Sequence, residues 1–244
     1  MKEKNSSKIV LITGTSSGFG LLTAARLASV GHIVIASMRN LKKKDFLLNE
    51  INKRGGIADI IELDVTERFS IKKALGYVSS KYGYVDVLIN NAGFGLGGFF
   101  EDLTEEEIRG QMETNFFGVQ NVTREVIPLM RPRKAGKIIN ISSIAGCYGS
   151  PAFGAYNASK WALEGFSESL YHELKLFNIN VVLIQPGTYN TSIFHENSRY
   201  AQNFNNSSSP YFPISQYLKE KVMTYVNNSR KDPEAIAILI EKNY

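Results

Sequence analysis

Two side chains capable of acid–base chemistry lie four residues apart in the second half of the chain. Tyr156 and Lys160 would share one face of a helix, because residues at positions i and i+4 lie on the same side. A nearby ammonium favours phenolate, so Lys160 should lower the pKa of Tyr156 from its usual value of about 10. Ser143 supplies a second hydroxyl thirteen residues upstream. A tyrosine tuned in this way can exchange a proton with an alcohol or carbonyl oxygen.

A glycine-rich segment follows the first predicted strand. Gly14, Gly18 and Gly20 form the pattern G-x-x-x-G-x-G, in place of the more common G-x-G-x-x-G. Glycines permit a tight turn and close approach of the backbone, and the N-terminus of the following helix favours a pyrophosphate. The triplet alone could be only a sharp turn between strand and helix. Its position in a βαβ unit favours dinucleotide binding, and together with the acid–base residues it predicts hydride transfer.

The end of the second predicted strand indicates which dinucleotide is preferred. Sites for NAD usually place a carboxylate there, whereas an arginine accommodates the 2′-phosphate of NADP. The chain has Arg39 at this point and no acid within 36–40, and Ser17 and one of Lys42–Lys44 could assist. Arg39 could instead be a solvated loop residue. These residue types favour NADP(H) over NAD(H).

The third predicted strand ends at Asp64, which has two candidate roles. Its carboxylate and the backbone that follows it could contact adenine. Aspartate is also a favoured N-cap residue, so Asp64 could instead cap the next helix. The sequence leaves both roles open.

Six apolar runs rich in β-branched residues alternate with helical stretches. They are near-continuous, as expected of strands buried on both faces of a parallel sheet. The alternation predicts an α/β fold, a doubly wound Rossmann-type parallel sheet in three α/β/α layers. Residues 1–244 are expected to form a single NAD(P)-binding domain. The runs are KIVLITG, HIVIAS, IIELDV, DVLINNAG, KIINISS and NVVLIQPG.

Two helices between these strands can be delimited from the sequence. An apolar stripe between Leu21 and Ala28 stops at Gly31, a natural C′ residue. The helix that carries Tyr156 should cover about 155–177. Its core side is predicted to contain Leu163, Phe166, Leu170, Leu174 and Phe177.

The alternation of strands and helices stops between residues 192 and 231. Asparagine and serine dominate positions 205–209, which predicts a loop or mobile tip. Seven aromatic residues surround that tip, whereas disordered linkers are normally poor in aromatics. We expect residues 192–231 to form a lid that closes over an apolar substrate. The aromatic residues are Phe194, Tyr200, Phe204, Tyr211, Phe212, Tyr217 and Tyr225.

Composition excludes several other classes of protein. Hydrophobic residues make up 43% of the chain and charged residues 21%, as in ordinary globular proteins. The single cysteine, Cys147, excludes an internal disulfide framework. No apolar run is long enough to span a bilayer, and the first residues lack the apolar core of a secretory signal. We expect a cytoplasmic protein with no membrane span.

The net charge of +5 and the pI near 9.1 raise the alternative of a nucleic-acid partner. The basic residues form only two short groups, Lys42–Lys44 and Arg131–Lys134, in or beside predicted loops. Solvated surface explains these groups better, and a phosphorylated cofactor would account for part of the excess charge. We therefore expect no nucleic-acid partner. His32, His172 and His195 fit no ligand or triad pattern, and no metal is expected.

These residues fall in the order and spacing of a known family. From Lys8 to about Thr191, the chain resembles the classical short-chain dehydrogenases/reductases. The run IASMRNLKK and the aromatic segment after Thr191 are more similar to the steroid- and retinoid-type reductases of that family. The matching motifs are TGTSSGFG, Asp64, Asn90-Asn91-Ala92-Gly93, Asn115, Ser143, Tyr156-Asn157-Ala158-Ser159-Lys160, and Pro186-Gly187 followed by Thr191.

The resemblance implies a catalytic role for four residues. Tyr156 would be the general acid/base, and Lys160 would lower its pKa and bind the nicotinamide ribose. Ser143 would hold the substrate oxygen, although the adjacent Ser142 is a competing candidate. Asn115 would support a water-linked proton relay to Lys160, or would only satisfy a backbone group beside a bend in its helix.

The resemblance also implies an extended cofactor site. Asn90, Ala92 and Gly93 would line the adenosine-ribose side, and Asn91 would chiefly brace the fourth strand. Residues 186–191 would contact the nicotinamide end. The complete predicted cofactor set is Gly14, Ser16, Ser17, Gly18, Phe19, Gly20, Arg39, Asp64, Val65, Asn91, Ala92, Gly93, Tyr156, Lys160, Pro186, Gly187, Thr188 and Thr191.

The sequence thus predicts an NADP(H)-dependent oxidoreductase that interconverts a carbonyl and an alcohol on a small apolar substrate. The alternative is a non-catalytic dinucleotide-binding sensor or scaffold on the same fold. No strand-like run follows the helix that Asp232-Pro233-Glu234 would open, so the last strand of the sheet is expected to be missing. The resemblance implies that this strand closes the sheet edge and lines the contact between two dimers, so its absence would leave an exposed edge and disfavour a tetramer. A homodimer through the helices of Asn115 and Tyr156 would remain available.

Overall fold

A parallel sheet of six strands forms the centre of the protein, and the computed structural model describes residues 7–243. Its strands are β1 (Ile9–Ile12), β2 (Ile33–Met38), β3 (Ala58–Glu62), β4 (Val87–Asn90), β6 (Gly136–Ile141) and β7 (Ile179–Ile184); a separate pair is formed by β5 (Gly95–Gly97) and β8 (Ser198–Tyr200). The six strands lie in the order β3-β2-β1-β4-β6-β7, and every adjacent pair is parallel. Each predicted apolar run overlaps one of them, which confirms the doubly wound fold.

Helices cover both faces of this sheet. The third, fifth and sixth helices of the chain pack against one face of the sheet and share one core cluster with it. The first, second and eighth helices pack against the other face and share a second cluster. The structure therefore has the three predicted α/β/α layers. The helices are α1 (Gly18–Ser29), α2 (Lys44–Lys53), α3 (Arg68–Tyr82), α4 (Glu105–Met112), α5 (Gly118–Met130), α6 (Gly154–Leu174), α7 (Phe212–Asn227) and α8 (Glu234–Lys242).

Burial on both faces explains why the strands are apolar throughout. In β1, Ile9 and Leu11 belong to one core cluster, whereas Val10 and Ile12 belong to the other. All four are at most 5% exposed. Burying an aliphatic side chain of this size stabilises the folded chain by roughly 1.5–3 kcal/mol. A polar residue at any of these positions would lose that contribution, so the sequence shows no alternation.

The two helices delimited from the sequence are confirmed. The first, α1, ends at Ser29, and Gly31 follows with φ +93°, a left-handed conformation that favours glycine. The helix α6 reaches Leu174, and a short 3₁₀ turn, Lys175–Phe177, extends it to the predicted end. Its predicted core residues Leu163, Phe166, Leu170, Leu174 and Phe177 are buried or pack against a core cluster.

The chain after β7 adds a layer above the sheet. β8 pairs in parallel with β5, and α7 follows after a series of turns that includes residues 205–209. The Ser209 hydroxyl donates to Asp102 Oδ1 at 2.6 Å, which ties these turns to the segment after β5. The predicted loop is therefore present, and it is anchored by a side chain of the underlying domain.

The helix α8 packs against α1 and α2 through a group of ion pairs. Glu234 accepts from Arg54 at 2.7 Å and lies 3.4 Å from Arg26, which also pairs with Glu241. In the described part of the chain no strand pairs with the outer edge of β7. No helix between residues 7 and 243 is long and apolar enough to cross a membrane.

Candidate active site

A cavity of about 920 Å³ opens at the carboxyl ends of the central strands. It lies over β1 and β4, where the strand order reverses and ligands of doubly wound sheets bind. All predicted catalytic residues line it, and so do all predicted cofactor residues except Gly20. The segments that follow all six strands of the central sheet thus bring residues from 14 to 191 to one place.

The three glycines after β1 are required for different reasons. Gly14 has φ +70°, and a Cβ atom added to it would lie 2.7 Å from the Cα atom of Ala92. Gly18 has φ +56°, also in the left-handed region. A Cβ atom on Gly20 would overlap the Asn91 side chain and the Gly14 carbonyl oxygen. Gly20 therefore acts by close packing beneath the cavity.

Asn91 holds this turn against the loop after β4. Its Nδ2 atom donates to the carbonyl oxygens of Thr13 at 3.0 Å and Gly14 at 2.9 Å. The structural role preferred from the sequence is thus present, although Asn91 also borders the cavity. Asn90 does not border it, because its side chain is buried and donates to Thr123 Oγ1 and Asn140 Oδ1.

The N-terminus of α1 faces the cavity and can receive an anion. Ser17 is the extended N-cap residue, and its hydroxyl makes no capping bond; it accepts instead from Asn197 Nδ2 at 3.0 Å. The first N–H groups of any helix lack intrahelical acceptors, and the helix dipole adds positive potential there. These features make the N-terminus of α1 a suitable place for a pyrophosphate.

Arg39 and Asp64 lie together at the rim of the cavity. Arg39 is 68% exposed, and its Nε atom lies 3.8 Å from Asp64 Oδ2. Lys43 also lines this rim, whereas Lys42 and Lys44 do not. The site therefore holds two cations and one carboxylate beside the end of β2.

Asp64 does not cap the helix that follows it. Its Oδ1 atom accepts from the Thr66 N–H at 3.0 Å and from the Thr66 hydroxyl at 2.8 Å. The N-cap residue of α3 is Glu67, so the alternative prediction for Asp64 was wrong. The Asx turn instead fixes the carboxylate at the cavity wall.

The acid–base residues meet where β6 and α6 approach each other. Ser143 follows β6 in an extended conformation, and its Oγ atom accepts from the Ala145 N–H at 3.1 Å. Tyr156 and Lys160 lie on successive turns of α6, with Lys160 Nζ 5.9 Å from the centre of the Tyr156 ring. Lys160 is 7% exposed and donates to the Ile141 carbonyl at 2.8 Å.

The pKa of Tyr156 moves in the direction opposite to the sequence-based expectation. Burial raises the pKa of Tyr156, and interaction with the Ser143 hydroxyl only partly opposes that shift. Burial likewise lowers the pKa of Lys160 to about 8, against an opposing effect of Glu164. Helical spacing predicted that the two groups lie close together, but desolvation is the largest cause of both pKa shifts.

The competing serine, Ser142, occupies a different environment. Its hydroxyl is buried and has no hydrogen-bond partner within residues 7–243. Ser143, in contrast, is hydrogen-bonded to Tyr156 through its hydroxyl, and this bond partly opposes the rise in the pKa of Tyr156 that burial causes. The structure therefore favours Ser143 for contact with a substrate oxygen.

Asn115 lies in a π-helical turn, Glu113–Phe117, between α4 and α5. Its Oδ1 atom accepts from the Phe94 N–H at 3.1 Å, and its Nδ2 atom donates to the Phe94 carbonyl at 3.0 Å and to Ser159 Oγ at 3.2 Å. The side chain thus braces the loop after β4 against α6. Gln111, one turn earlier, also donates to the Phe94 carbonyl at 2.9 Å.

Several cavity residues were not predicted from the sequence. β8 and α7 contribute Arg199, Leu218, Lys221 and Val222, and other loops around the cavity add Phe94, Tyr148, Phe153 and Tyr189. The aromatic residues of 192–231 predicted part of this lining. No pattern in the sequence indicated that basic residues of the same segment would also line the cavity. Across residues 7–243 no group of three His, Cys, Asp or Glu side chains is placed to hold a metal ion.

Comparison with known proteins identifies the family of the chain. A family model described as short chain dehydrogenase matches residues 8–202. Over 184 residues the chain is 48% identical to a 3-ketodihydrosphingosine reductase of Bacteroides thetaiotaomicron, covering 75% of this chain and 65% of that protein. It is 41% identical to human retinol dehydrogenase 8, covering 74% of this chain and 58% of that protein. The chain thus spans about two thirds or less of these relatives.

Solved structures of similar fold include complexes with NAD and with NADPH. A variant of actinorhodin polyketide ketoreductase with NADPH superposes with a TM-score of 0.81 and 30% identity, covering 99% of this chain and 91% of that chain. The family match extends over most of the chain and includes every predicted catalytic residue. The protein belongs to the short-chain dehydrogenase/reductase family.

Proposed function

We propose that the protein is an NADP(H)-dependent oxidoreductase that interconverts a carbonyl and an alcohol on an apolar substrate. The observation that carries this proposal is the placement of Ser143, Tyr156 and Lys160 on the same cavity as the glycine turn after β1. Aromatic side chains from several elements line the remaining wall, which suits an apolar molecule. The activities named for two relatives, a 3-ketodihydrosphingosine reductase and a retinol dehydrogenase, support a carbonyl or alcohol substrate.

The residues of the chain would handle the oxygen atom of the substrate. Bound nicotinamide would supply or accept the hydride. Ser143 and Tyr156 would donate hydrogen bonds as negative charge develops on the oxygen, and Tyr156 would then transfer its proton to it. Lys160, when charged, would stabilise the phenolate that remains. Asn115 would keep the loop of Phe94 in place beside this group and support the proton relay.

The cofactor would be held by residues already placed around it. The N-terminus of α1 and the glycine turn would hold the pyrophosphate, and Asp64 with Val65 would contact the adenine. Residues 186–191 would face the nicotinamide. Arg39 and Lys43 would pair with the 2′-phosphate of NADP. A carboxylate in place of Arg39 at the end of β2 would repel this phosphate.

Replacement of Arg39 by alanine should remove the preference for NADPH. We expect fluorescence titration of the wild-type protein to give tighter binding of NADPH than of NADH. In Arg39→Ala the dissociation constant for NADPH should rise about tenfold, because a charge-assisted pair is lost, and that for NADH should change little. Lys42→Ala is the control, since Lys42 belongs to the same turn but does not line the cavity. Equal affinity of the wild-type protein for both dinucleotides would contradict the NADP assignment.

The rate of carbonyl reduction should fall as pH rises through the pKa of Lys160. Burial lowers the pKa of Lys160 to about 8, and the Glu164 carboxylate opposes this effect. Above that pH the ammonium is lost and no longer stabilises the Tyr156 phenolate, so kcat/KM for NADPH-dependent reduction should decline. In Glu164→Gln the decline should begin at lower pH. Glu168→Gln, on the exposed face of the next turn of α6, should leave the profile unchanged; identical profiles for all three proteins would refute this role of Glu164.

We also propose that the protein is a homodimer that associates through α5 and α6. Phe117, Trp161 and Tyr171 lie at or on these helices and are 43%, 53% and 39% exposed. Large exposed side chains of this kind are often buried between subunits. Light scattering at working concentration should give twice the 27.2 kDa mass of the chain, and a monomer would exclude this arrangement.

A further inference from the structure

The part of the cavity formed by β8 and α7 carries positive charge. Arg199 and Lys221 line it, and Glu196 is the carboxylate that residues 192–231 contribute to the same lining. None of these three side chains takes part in an ion pair with the described residues. An apolar substrate alone gives no reason for two cations in this position.

Lys221 belongs to the face of α7 that is directed at the cavity. Leu218, Lys221, Val222 and Tyr225 line it, and their spacing of i, i+3, i+4 and i+7 defines a single helical stripe. Lys219 does not line the large cavity; its ammonium lies 4.8 Å from the centre of the Tyr200 ring. The Lys221 ammonium lies 5.3 Å from the centre of the Tyr217 ring, so the helix presents one cation at the edge of an otherwise apolar and aromatic stripe.

Arg199 is held in place beside the predicted catalytic residues. It lies opposite Leu96 in the parallel pair of β5 and β8, and its guanidinium carbon is 4.1 Å from the centre of the Phe94 ring. Asn115 and Gln111 fix the backbone of Phe94 with three hydrogen bonds. Stacking on a ring leaves the N–H groups at the edge of the guanidinium free to bind an oxyanion.

We infer that the substrate carries an anionic group, a carboxylate or a phosphate, which Arg199 and Lys221 bind at the end of its apolar body. The guanidinium would bind two oxygens of that group, and the ammonium would add a second charge. Glu196 would disfavour a second negative group nearby. This inference rests on the proposed function, since it identifies the class of carbonyl compound that the same cavity would accept.

Four probes with linear apolar chains of nine or ten carbons and different head groups test the inference. Decanoate, decyl phosphate, decan-1-ol and decyltrimethylammonium would be titrated calorimetrically into the full chain, with and without saturating NADP⁺. One anion should bind at least about tenfold more tightly than decan-1-ol, and decyltrimethylammonium should bind no more tightly than the alcohol. The tighter of the two anions identifies the carboxylate or the phosphate as the group recognised.

Variants of Arg199 and Lys221 test whether these two side chains bind the anionic head group. Arg199→Met and Lys221→Met keep the apolar stems and should each weaken the preferred anion about tenfold while leaving decan-1-ol unchanged. Lys219→Met is the matched control on α7 and should change neither. Equal affinity for anion and alcohol, tightest binding of decyltrimethylammonium, or unchanged anion binding in both variants would overturn the inference. Binding of NADP⁺ by the same samples separates these results from a failure of the proposed function.

Discussion

Replacement of Tyr156 by phenylalanine should lower the rate of NADPH-dependent carbonyl reduction by about a thousandfold, because the change removes the group that protonates the substrate oxygen. The affinity for NADPH should stay within a few fold of the wild-type value. The aromatic ring remains, so its packing at the cavity wall and the nearby Lys160 ammonium, 5.9 Å from the ring centre, should be preserved. Steady-state rates and a fluorescence titration with NADPH measure the two quantities separately.

The environment of Tyr156 explains why the neighbouring groups should not replace it. Ser143 lies beside Tyr156, but its aliphatic hydroxyl is a much weaker acid than a phenol and cannot readily supply a proton. Lys160 donates to the Ile141 carbonyl and lies behind the tyrosine ring. Both residues can support charge on the oxygen, and neither is placed to complete the proton transfer. The remaining rate of Tyr156→Phe should therefore reflect positioning and hydrogen bonding alone.

Tyr148→Phe is the matched control for this experiment. Tyr148 also lines the cavity, and it is 52% exposed and outside the acid–base group. Its substitution should change the rate by less than about threefold. If Tyr156→Phe kept the rate of the wild-type protein, proton transfer by Tyr156 would be refuted. If the wild-type protein bound NADPH without reducing any carbonyl in a broad panel, a non-catalytic sensor would become the better interpretation.

Much of the fold follows from local sequence because the central sheet is buried on both faces. The strands β1, β2, β4 and β7 are mainly apolar, and β6 contains Ile138, Ile139 and Ile141, so the pattern is visible without knowledge of the tertiary structure. The pair of β5 and β8 shows the limit of this approach. Gly95–Gly97 has the sequence GLG, with little intrinsic preference for a strand, and it pairs with a segment about one hundred residues away.

The pKa values of Tyr156 and Lys160 depend on how deeply the two side chains are buried, which the spacing of residues in the sequence does not reveal. The i, i+4 positions of Tyr156 and Lys160 indicated attraction between the two groups, but not that both lose contact with water. Asp64 gives a similar case, since its N-cap character was plausible until the Asx turn with Thr66 showed another use of the carboxylate. The role of Gln111 could not be predicted from the sequence, because only the tertiary structure brings its side chain to the Phe94 carbonyl.

Replacement of Gly20 by alanine should destabilise the protein by about 3 kcal/mol or more and abolish NADPH binding by the chains that still fold. The added methyl group would overlap the Asn91 side chain and the Gly14 carbonyl oxygen. Relief of the overlap requires Asn91 to leave its two acceptors, Thr13 O and Gly14 O. The turn that would hold the pyrophosphate would then lose its brace to the loop after β4. Urea denaturation and NADPH titration measure the two effects.

Gly76→Ala is the control that distinguishes this close contact from a general effect of losing glycine. Gly76 lies within α3, and a Cβ atom there would meet no atom within 4 Å. Alanine is favoured over glycine inside a helix by about 1 kcal/mol, so this variant should be slightly more stable and should bind NADPH normally. A Gly20→Ala protein as stable as wild type would show that the turn can relax. If it also bound NADPH, the tight packing of Asn91 against Gly14 and Gly20 would not be what shapes the dinucleotide site.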